Sequence, residues 1–504
     1  MKNRLVFSLS ILAIFSVLFN SAIISMSVVY ILSDLGCSSA TASYATVFYG
    51  IGNVITVPLA LAFKDRMSTV KYFSICWCSF TVATFLAGIA TTYPLFIFFR
   101  LLQGLSSGPL FILLSTFLGS ILPDLEKSKV MRSNLMSFIC APILGASWGG
   151  WISYDYNWRN IFTINVIFMC ILGIALFIQL RRFSNPLEKK PFDLVGYISF
   201  TIGTFFLTFF ITLGQELDWF RSEFMTATFF IGLIFFLFFI LRSMRHPFPI
   251  INLSLLKQPL IALALLNLWV LFATYFGMTL LLSIWLTIYV RFTVIWVSVI
   301  LGVMILSAPL LMHIMRHYLE SHKVWIPFGL GILLLGFSCF YSSNFNIDID
   351  LGRIAISRII AGCSFALFLP SLLHLVIHNQ NHETTPQALT LFQLSRGSAS
   401  ALGATIFYTI WLRRQVFFYE RLGGALTDYS PITNRFFIRA KQFGLNKAQL
   451  DPQLEVFLNQ KATSLALNDC FYLMGWITVA LLLLFLISYI KKGVLYREQN
   501  QSNL

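Results

Sequence analysis

Arg100-Leu101-Leu102-Gln103-Gly104 lies inside an apolar run, Pro94–Leu114, and returns 258 residues later as Arg358-Ile359-Ile360-Ala361-Gly362 inside a second run, Ile354–Val376. An arginine at the centre of a hydrocarbon-length helix costs about 2.5–3.5 kcal/mol on insertion scales, so two at one spacing ask for a common cause. The same offset carries Gly145-Ala146 onto Gly403-Ala404. Two matches at one offset suggest two six-helix halves in a parallel relationship.

The rest of the sequence agrees with that frame. Of 504 residues, 58% are hydrophobic and 11% charged, whereas an ordinary soluble chain is about a quarter charged. This excludes a water-soluble globular enzyme and a disordered chain. Eight cysteines are too sparse for a disulfide scaffold, and Cys76, Cys78, Cys140, Cys170 and Cys363 sit inside apolar runs as small packing residues. A bilayer-crossing helix needs about 20 mostly apolar residues. Fourteen such runs occur, from Leu5–Ile31 to Cys470–Ile490. The expected fold is an all-α polytopic membrane protein. Residues 1–182 form the first six-helix bundle and 183–258 a two-helix insert. Residues 259–504 form the second bundle, which carries one long loop at about 413–467. The first run is longer than a signal-peptide core and lacks a clear cleavage site, so it reads as a retained helix.

The net charge of +15 suggests nucleic acid until the charges are placed. With the N-terminus inside, the inner segments carry twenty Lys and Arg and the short outer loops only Arg159, Arg221, Arg291 and Arg353. That bias puts both termini in the cytoplasm. The excess charge therefore reports topology, and no nucleic-acid partner is implied. Eight more basic residues lie in the 413–467 loop, which is long enough not to vote. This loop is expected outside, as a small amphipathic structure.

All twenty Asp and Glu fall outside the fourteen runs, so the permanent charges within them are Arg100, Arg358 and Arg396. Arg100 reads as an interior, functional arginine, against a packing arginine held by carbonyls. Arg358 is its repeat mate but lies nearer a helix end, where it could snorkel. Arg396 lies mid-helix in Phe392-Gln393-Leu394-Ser395-Arg396-Gly397. Asn20, Asn53, Gln103 and Gln393 are the uncharged polar residues expected around a shared cavity, with interhelical glue as the plainer reading. Gly104-x3-Gly108 and Gly145-x3-Gly149 are faces on which helices approach closely.

At this point the chain resembles the major facilitator superfamily, specifically its fourteen-helix EmrB/QacA-type drug:proton antiporters. Phe99-Arg100 through Gln103-Gly104 and Gly108-Pro109 is similar to motif B in helix four. Lys64-Asp65-Arg66 with Val70-Lys71 resembles a degraded motif A, and Gly145 with Gly149-Gly150-Trp151 resembles motif C. Trp158-Arg159 before helix six, Gln215-Glu216 through Phe220 between the inserted helices, and Pro249 through Asn252 to Lys257 before helix nine also match in order and spacing. The resemblance implies a secondary active exporter of drugs or other amphipathic toxic compounds. It would work by alternating access in a bacterial inner membrane and need no cofactor beyond a proton gradient. It assigns coupling to Arg100, a loop role to Asp65 and Arg66, and packing to Gly145, Gly149 and Gly150, while Gln103, Arg396, Asn20 and Arg358 join Arg100 as transport and coupling candidates on their positions inside the spans. Asn53, Trp148, Trp269, Tyr275 and Gln393 fall on helices that line the family's cavity. It further implies a periplasmic adaptor and a TolC-type outer-membrane channel, for which the 413–467 loop is the docking candidate.

The departures from the family pattern bear on mechanism. Asn20 stands where the family carries an Asp, Gly145-Ala146 replaces Gly-Pro, and motif A has Leu61 and Ser68 in place of its glycines. If protons drive transport, their carriers are expected at the periphery: Asp34, Asp65 or Asp155. His374, His378 and His382, and His313 with His317, have i, i+4 spacing, but no carboxylate or thiol completes a metal site. No P-loop is present, so ATP drive is not expected. Two alternatives stand beside drug export: a carrier for an endogenous metabolite such as a siderophore, and a membrane transferase built on the histidines. The polar intramembrane residues are spread over several helices, which favours a carrier.

Overall fold

The computed structural model describes the chain apart from residues 1, 39–40, 65, 122–123, 182–190, 307–310, 312–313, 316, 319–323, 378–379, 382–383, 425, 427–430, 443–446 and 502–504. No strand occurs among the described residues. Eleven helices there are long and apolar enough to cross a membrane. Three other expected spans take forms that fall short of that criterion. The second is broken into Tyr44–Thr56 and Leu59–Lys64 around Pro58, whose nitrogen has no proton for the helix ladder. The tenth is the ten-residue helix Val294–Val303. The thirteenth, Thr385–Gly424, is 40 residues long but rich in polar groups.

The first expected span also divides, into Lys2–Ala22 and Val28–Asp34. Between them Ser25 N bonds Ala22 O and Ser27 N bonds Ile24 O, the tighter i→i−3 pattern of an interrupted helix. The fifth span, Asp124–Asp155, crosses here. A Cβ added at Gly145 would stand 2.2 Å from Phe19 O, and one at Gly149 1.9 Å from Ile23 O, so only glycine allows the approach. The fourth span, Tyr93–Ile121, packs on the second in the same way, with Gly104 on the Tyr49 carbonyl and Gly108 on Thr56 and Asn53. The third (Thr69–Gly88) is tied to the sixth (Arg159–Leu180) by Trp77 Nε1 donating to Met169 O at 2.9 Å.

The second set of helices repeats this arrangement. Gly403 of the thirteenth span meets Ala273 of the ninth, Pro259–Ile284, as Gly145 of the fifth meets Phe19 of the first. Ser364 of the twelfth (Leu351–Ile377) donates to Gly331 O of the eleventh (Trp325–Ser342) at 2.6 Å. The inserted pair, Leu194–Leu213 and Glu223–Arg245, packs backbone to backbone where a Cβ at Gly203 would lie 2.7 Å from Phe236 N.

The 413–467 stretch, expected as a small amphipathic structure, is largely helical and includes the separate helix Pro431–Gln442. The thirteenth span runs on as one helix to Gly424, and the last helix, Lys447–Gln501, begins long before its apolar segment. At about 1.5 Å per residue, both project well past the hydrocarbon layer. Trp411 Nε1 bonds Thr463 O at 3.1 Å, and Arg414 bridges to Asp469, so the two helices stand side by side. Sequence hydropathy stops at the polar surface, whereas helix hydrogen bonding does not.

Candidate transport passage

Arg100 is completely buried. Its Nη1 donates to Gln103 Oε1 at 2.5 Å, its Nε to Ala45 O at 3.3 Å and its Nη2 to Ser21 O at 3.5 Å. The Tyr49 ring covers the guanidinium, 4.5 Å from centroid to Cζ. Gln103 in turn donates to Thr84 Oγ1 at 2.8 Å. The charge is thus held by four helices, through carbonyls, an amide and a π face, with no carboxylate.

Arg396 occupies a different place. It lines a small cavity of about 70 Å³ where the first, second, fourth, fifth, ninth and thirteenth spans meet. Its Nε donates to Gln393 Oε1 at 3.1 Å, and the rings of Phe138 and Phe272 lie 4.9 and 5.8 Å from its Cζ. Gln393, Asn53, Ser107 and Tyr49 line the same space, and Asn53 Nδ2 donates to Ser107 Oγ at 2.9 Å. A second lobe of about 60 Å³ adjoins it and is bounded by Tyr275, whose ring stacks on Phe365 at 4.4 Å. The two lobes share Ala22, Ser25, Thr46, Pro142, Phe276 and Ser400, so they adjoin between the two sets of helices, where they mark the candidate passage.

The remaining sequence candidates separate. Arg358 does not snorkel: it is fully buried, with Nη2 on Met278 Sδ at 3.2 Å and Ser357 Oγ at 3.0 Å, while Nε and Nη1 have no hydrogen-bond partner. Asn20 is buried behind the passage, with Nδ2 on Ser16 O at 3.0 Å and Oδ1 unpartnered. Trp148 makes an edge-to-face pair with the exposed Trp151 at 5.3 Å and reaches neither lobe. Trp269 faces a separate lateral chamber beside the inserted helices. Gly150 packs against Ser298 and Val294 of the tenth span, which places it on the seam between the two sets of helices. Arg66 is exposed and lies over the Phe192 ring at 5.3 Å. Asp65, His313, His378 and His382 lie outside the described residues.

Sequence reasoning missed Tyr49, the residue between the two arginines. The signal was available as a mid-helix phenol one turn before Asn53, in a helix that also carries Tyr44 at its start. Asp34 was a candidate proton carrier. The structure pairs it with Arg159 and gives it the Trp158 Nε1 proton at 3.0 Å. Arg159, and then Trp158, hold the Asp34 carboxyl below its ordinary value.

Comparison with known proteins fits this architecture. Residues 9–404 match the Major Facilitator Superfamily. The multidrug export protein EmrB of Escherichia coli K12 is 25% identical over 477 residues, covering 94% of this chain and 92% of that one. The fatty acid resistance protein FarB of Neisseria gonorrhoeae is 24% identical, covering 91% of each. In fold, the chain is similar to the POT family transporter PepTSo, with a TM-score of 0.63 and 12% identity over 96% of this chain and 98% of that one. A bacterial homologue of the lysosomal transporter Spinster in an inward-facing state gives a TM-score of 0.62 at 12% identity, covering 97% and 98%. The chain is a multi-pass membrane protein and a transporter, not an enzyme, and it belongs to the Major Facilitator Superfamily.

Proposed function

We propose that this protein is a secondary drug exporter that moves amphipathic compounds out of the cell by alternating access. The observation that supports this most directly is the passage at the meeting of the two bundles, with Arg396, Gln393 and Asn53 on its wall and Phe276 and Tyr275 beside them. Aromatic faces and a few polar groups suit amphipathic molecules. In this reading the fourteen expected spans hold, residues 1–182 and 259–504 are the rocking halves, and 183–258 is the insert between them. The termini and the Arg242 end are cytoplasmic, and the Asp34 end is outside. Resistance to drugs in one relative and to fatty acids in another, by their names, fits this substrate class.

Energy comes from an ion gradient and not from a bound cofactor. Coupling to protons is weak, because among the described residues no carboxylate lines either lobe of the passage. The helical hairpin built from the thirteenth and last helices is the docking surface for an accessory protein of the periplasmic-adaptor type, which would lead to a TolC-type channel. Exposed Val416, Phe417, Val456 and Phe457 give that hairpin an apolar side.

The test is substrate efflux from proteoliposomes under an imposed pH gradient, wild type against Arg396→Ala. Directed efflux that falls at least tenfold in the variant supports the reading. Absence of efflux in wild type, with or without the gradient, removes it.

A further inference from the structure

A cavity far larger than the central passage is also present among the described residues. It is a chamber of about 690 Å³ between the inserted pair and the second, ninth and thirteenth spans. Its walls are almost wholly apolar. Thr204, Thr208, Ser395 and Ser398 supply the polar groups, and no charged residue borders it. The exposed Leu256 and Leu266 stand on its rim, so it opens sideways to lipid. At the Arg242 end it meets a second, less apolar space of about 220 Å³ bounded in part by Asp193, Asn252 and Gln387, and Ile251 borders both. Asp193 Oδ1 accepts from Arg242 Nε at 2.8 Å, and Asn252 Nδ2 donates to Gln387 Oε1 at 2.8 Å. An apolar chamber with one polar mouth is shaped for a molecule with one apolar body and one polar end.

The inner wall of the chamber is thin. Gly50 borders both the chamber and the central passage. It crosses the thirteenth span so closely that a Cβ there would lie 2.6 Å from Ala401 Cβ, and a Cβ at Gly397 would lie 3.0 Å from Val54 Cγ2. Val47, Ile51, Ile55 and Ala401 form an apolar cluster separate from the main core. The partition between lipid-side chamber and passage is therefore one crossing of small residues.

We propose that this chamber is a lateral binding site for a single-chain amphiphile taken from the leaflet at the Arg242 end. The Gly50–Ala401 crossing is the door from it to the passage. This deepens the exporter reading and rests on it for the direction of travel. The apolar chain lies along Phe200, Leu207 and Phe236, and the head sits at the Asn252 and Gln387 amides, with the Asp193 carboxylate kept neutralised by Arg242. A resident diacyl phospholipid is the competing occupant. It is disfavoured because a structural lipid needs no thin partition towards the passage.

The experiment uses the purified full chain in liposomes with palmitic acid carrying a mid-chain diazirine, and a diazirine phosphatidylcholine as comparator. The expected result is palmitic acid adducts concentrated on 200–211 and 236–239 and competed by unlabelled palmitic acid. The phosphatidylcholine should label the lipid-facing Ile167, Ile171 and Ile174 at least as strongly as the chamber. Ala262→Trp and Leu207→Trp, which fill the chamber from opposite walls, should each cut chamber labelling at least tenfold, with monodispersity checked for both. Labelling no denser in the chamber than at Ile171, labelling unchanged in both filled variants, or stronger chamber labelling by phosphatidylcholine overturns the proposal. Palmitic acid efflux from the same liposomes separates the two claims. Labelling without efflux keeps the site and removes export of this amphiphile, whereas efflux without chamber labelling keeps the exporter and removes the site.

Discussion

Tyr49 covers Arg100: the ring centroid lies 4.5 Å from the guanidinium carbon, and the same side chain lines the cavity that holds Arg396. The second span thereby stands between a charge locked inside the first bundle and a charge on the passage wall. A cation–π contact is worth about 0.5–1 kcal/mol at exposed sites and about 2 or more when desolvated. Tyr49→Ala is expected to lower thermal stability in detergent by a free energy of that larger size, and Tyr49→Phe to retain most of it. Equal loss in both variants would mean that the ring contributes nothing and the hydroxyl everything.

Asn20 sits where the family resemblance leads one to expect an acid, and its Oδ1 is buried without a partner. The described spans offer no other acid in the passage. Asn20→Asp should add an acid-dependent step to the pH profile of efflux and steepen its response to an imposed proton gradient. Efflux measured between about pH 5 and pH 8 checks this, and a superimposable profile would count against weak native coupling.

Asp34 is predicted to carry no protons. Its carboxyl is held down by Arg159 and Trp158. A depressed value means that its contribution to folding is complete above the ordinary carboxylate value of about 3.9 and is lost only as pH falls through its lower folded value. Throughout the working range of a bacterial membrane it stays ionised. Asp34→Asn should leave the pH dependence of efflux between about pH 5 and 8 unchanged. The exposed pair itself should cost less than about 1 kcal/mol to remove. A shifted pH profile would return Asp34 to the list of carriers.

Gly150 and Ser298 meet on the seam between the bundles, where a Cβ on Gly150 would fall 2.0 Å from Ser298 Oγ. Ser147 Oγ also donates to Ser298 O at 2.9 Å across that seam. Alternating access requires this contact to open in one state. Gly150→Leu should therefore force it apart and raise the rate at which a Ser298→Cys thiol reacts with a membrane-impermeant maleimide from the Asp34 side. An unchanged rate would show that the seam does not gate the passage.

Much of this architecture is legible in the sequence because a bilayer leaves few choices: every apolar run long enough must pair its own backbone, and helices do so. The glycines at 104, 108, 145 and 149 also read correctly as close-approach points, since small residues are the means by which membrane helices touch. The grouping of polar residues was less legible. Arg100 and Arg396 are both intramembrane arginines with a nearby glutamine at i+3 or i−3, yet one is caged and the other lines a cavity. Helical phase relative to a neighbouring bundle decides this, and a single chain's periodicity does not encode it. Trp269 faces the lateral chamber for the same reason.

Arg358 and Arg100 stand 258 residues apart in matching stretches of sequence but differ in what surrounds them. All three nitrogens of Arg100 have protein partners, whereas Nε and Nη1 of Arg358 have none and its Nη2 rests partly on a thioether. A buried donor without a partner costs about 1–3 kcal/mol, more when charged, and replacing it with an apolar side chain of similar volume removes the cost. Arg358→Met should therefore leave the melting temperature unchanged or raise it. Arg100→Met should lower it, because Gln103 Oε1 and the Ala45 carbonyl lose their donor. Thermal unfolding of both variants in one detergent decides the matter. If Arg358→Met is the more destabilising of the two, the arginine has a partner that the apolar surroundings of Met278 and Cys339 do not supply, and the twelfth span has to be read as holding a paired charge.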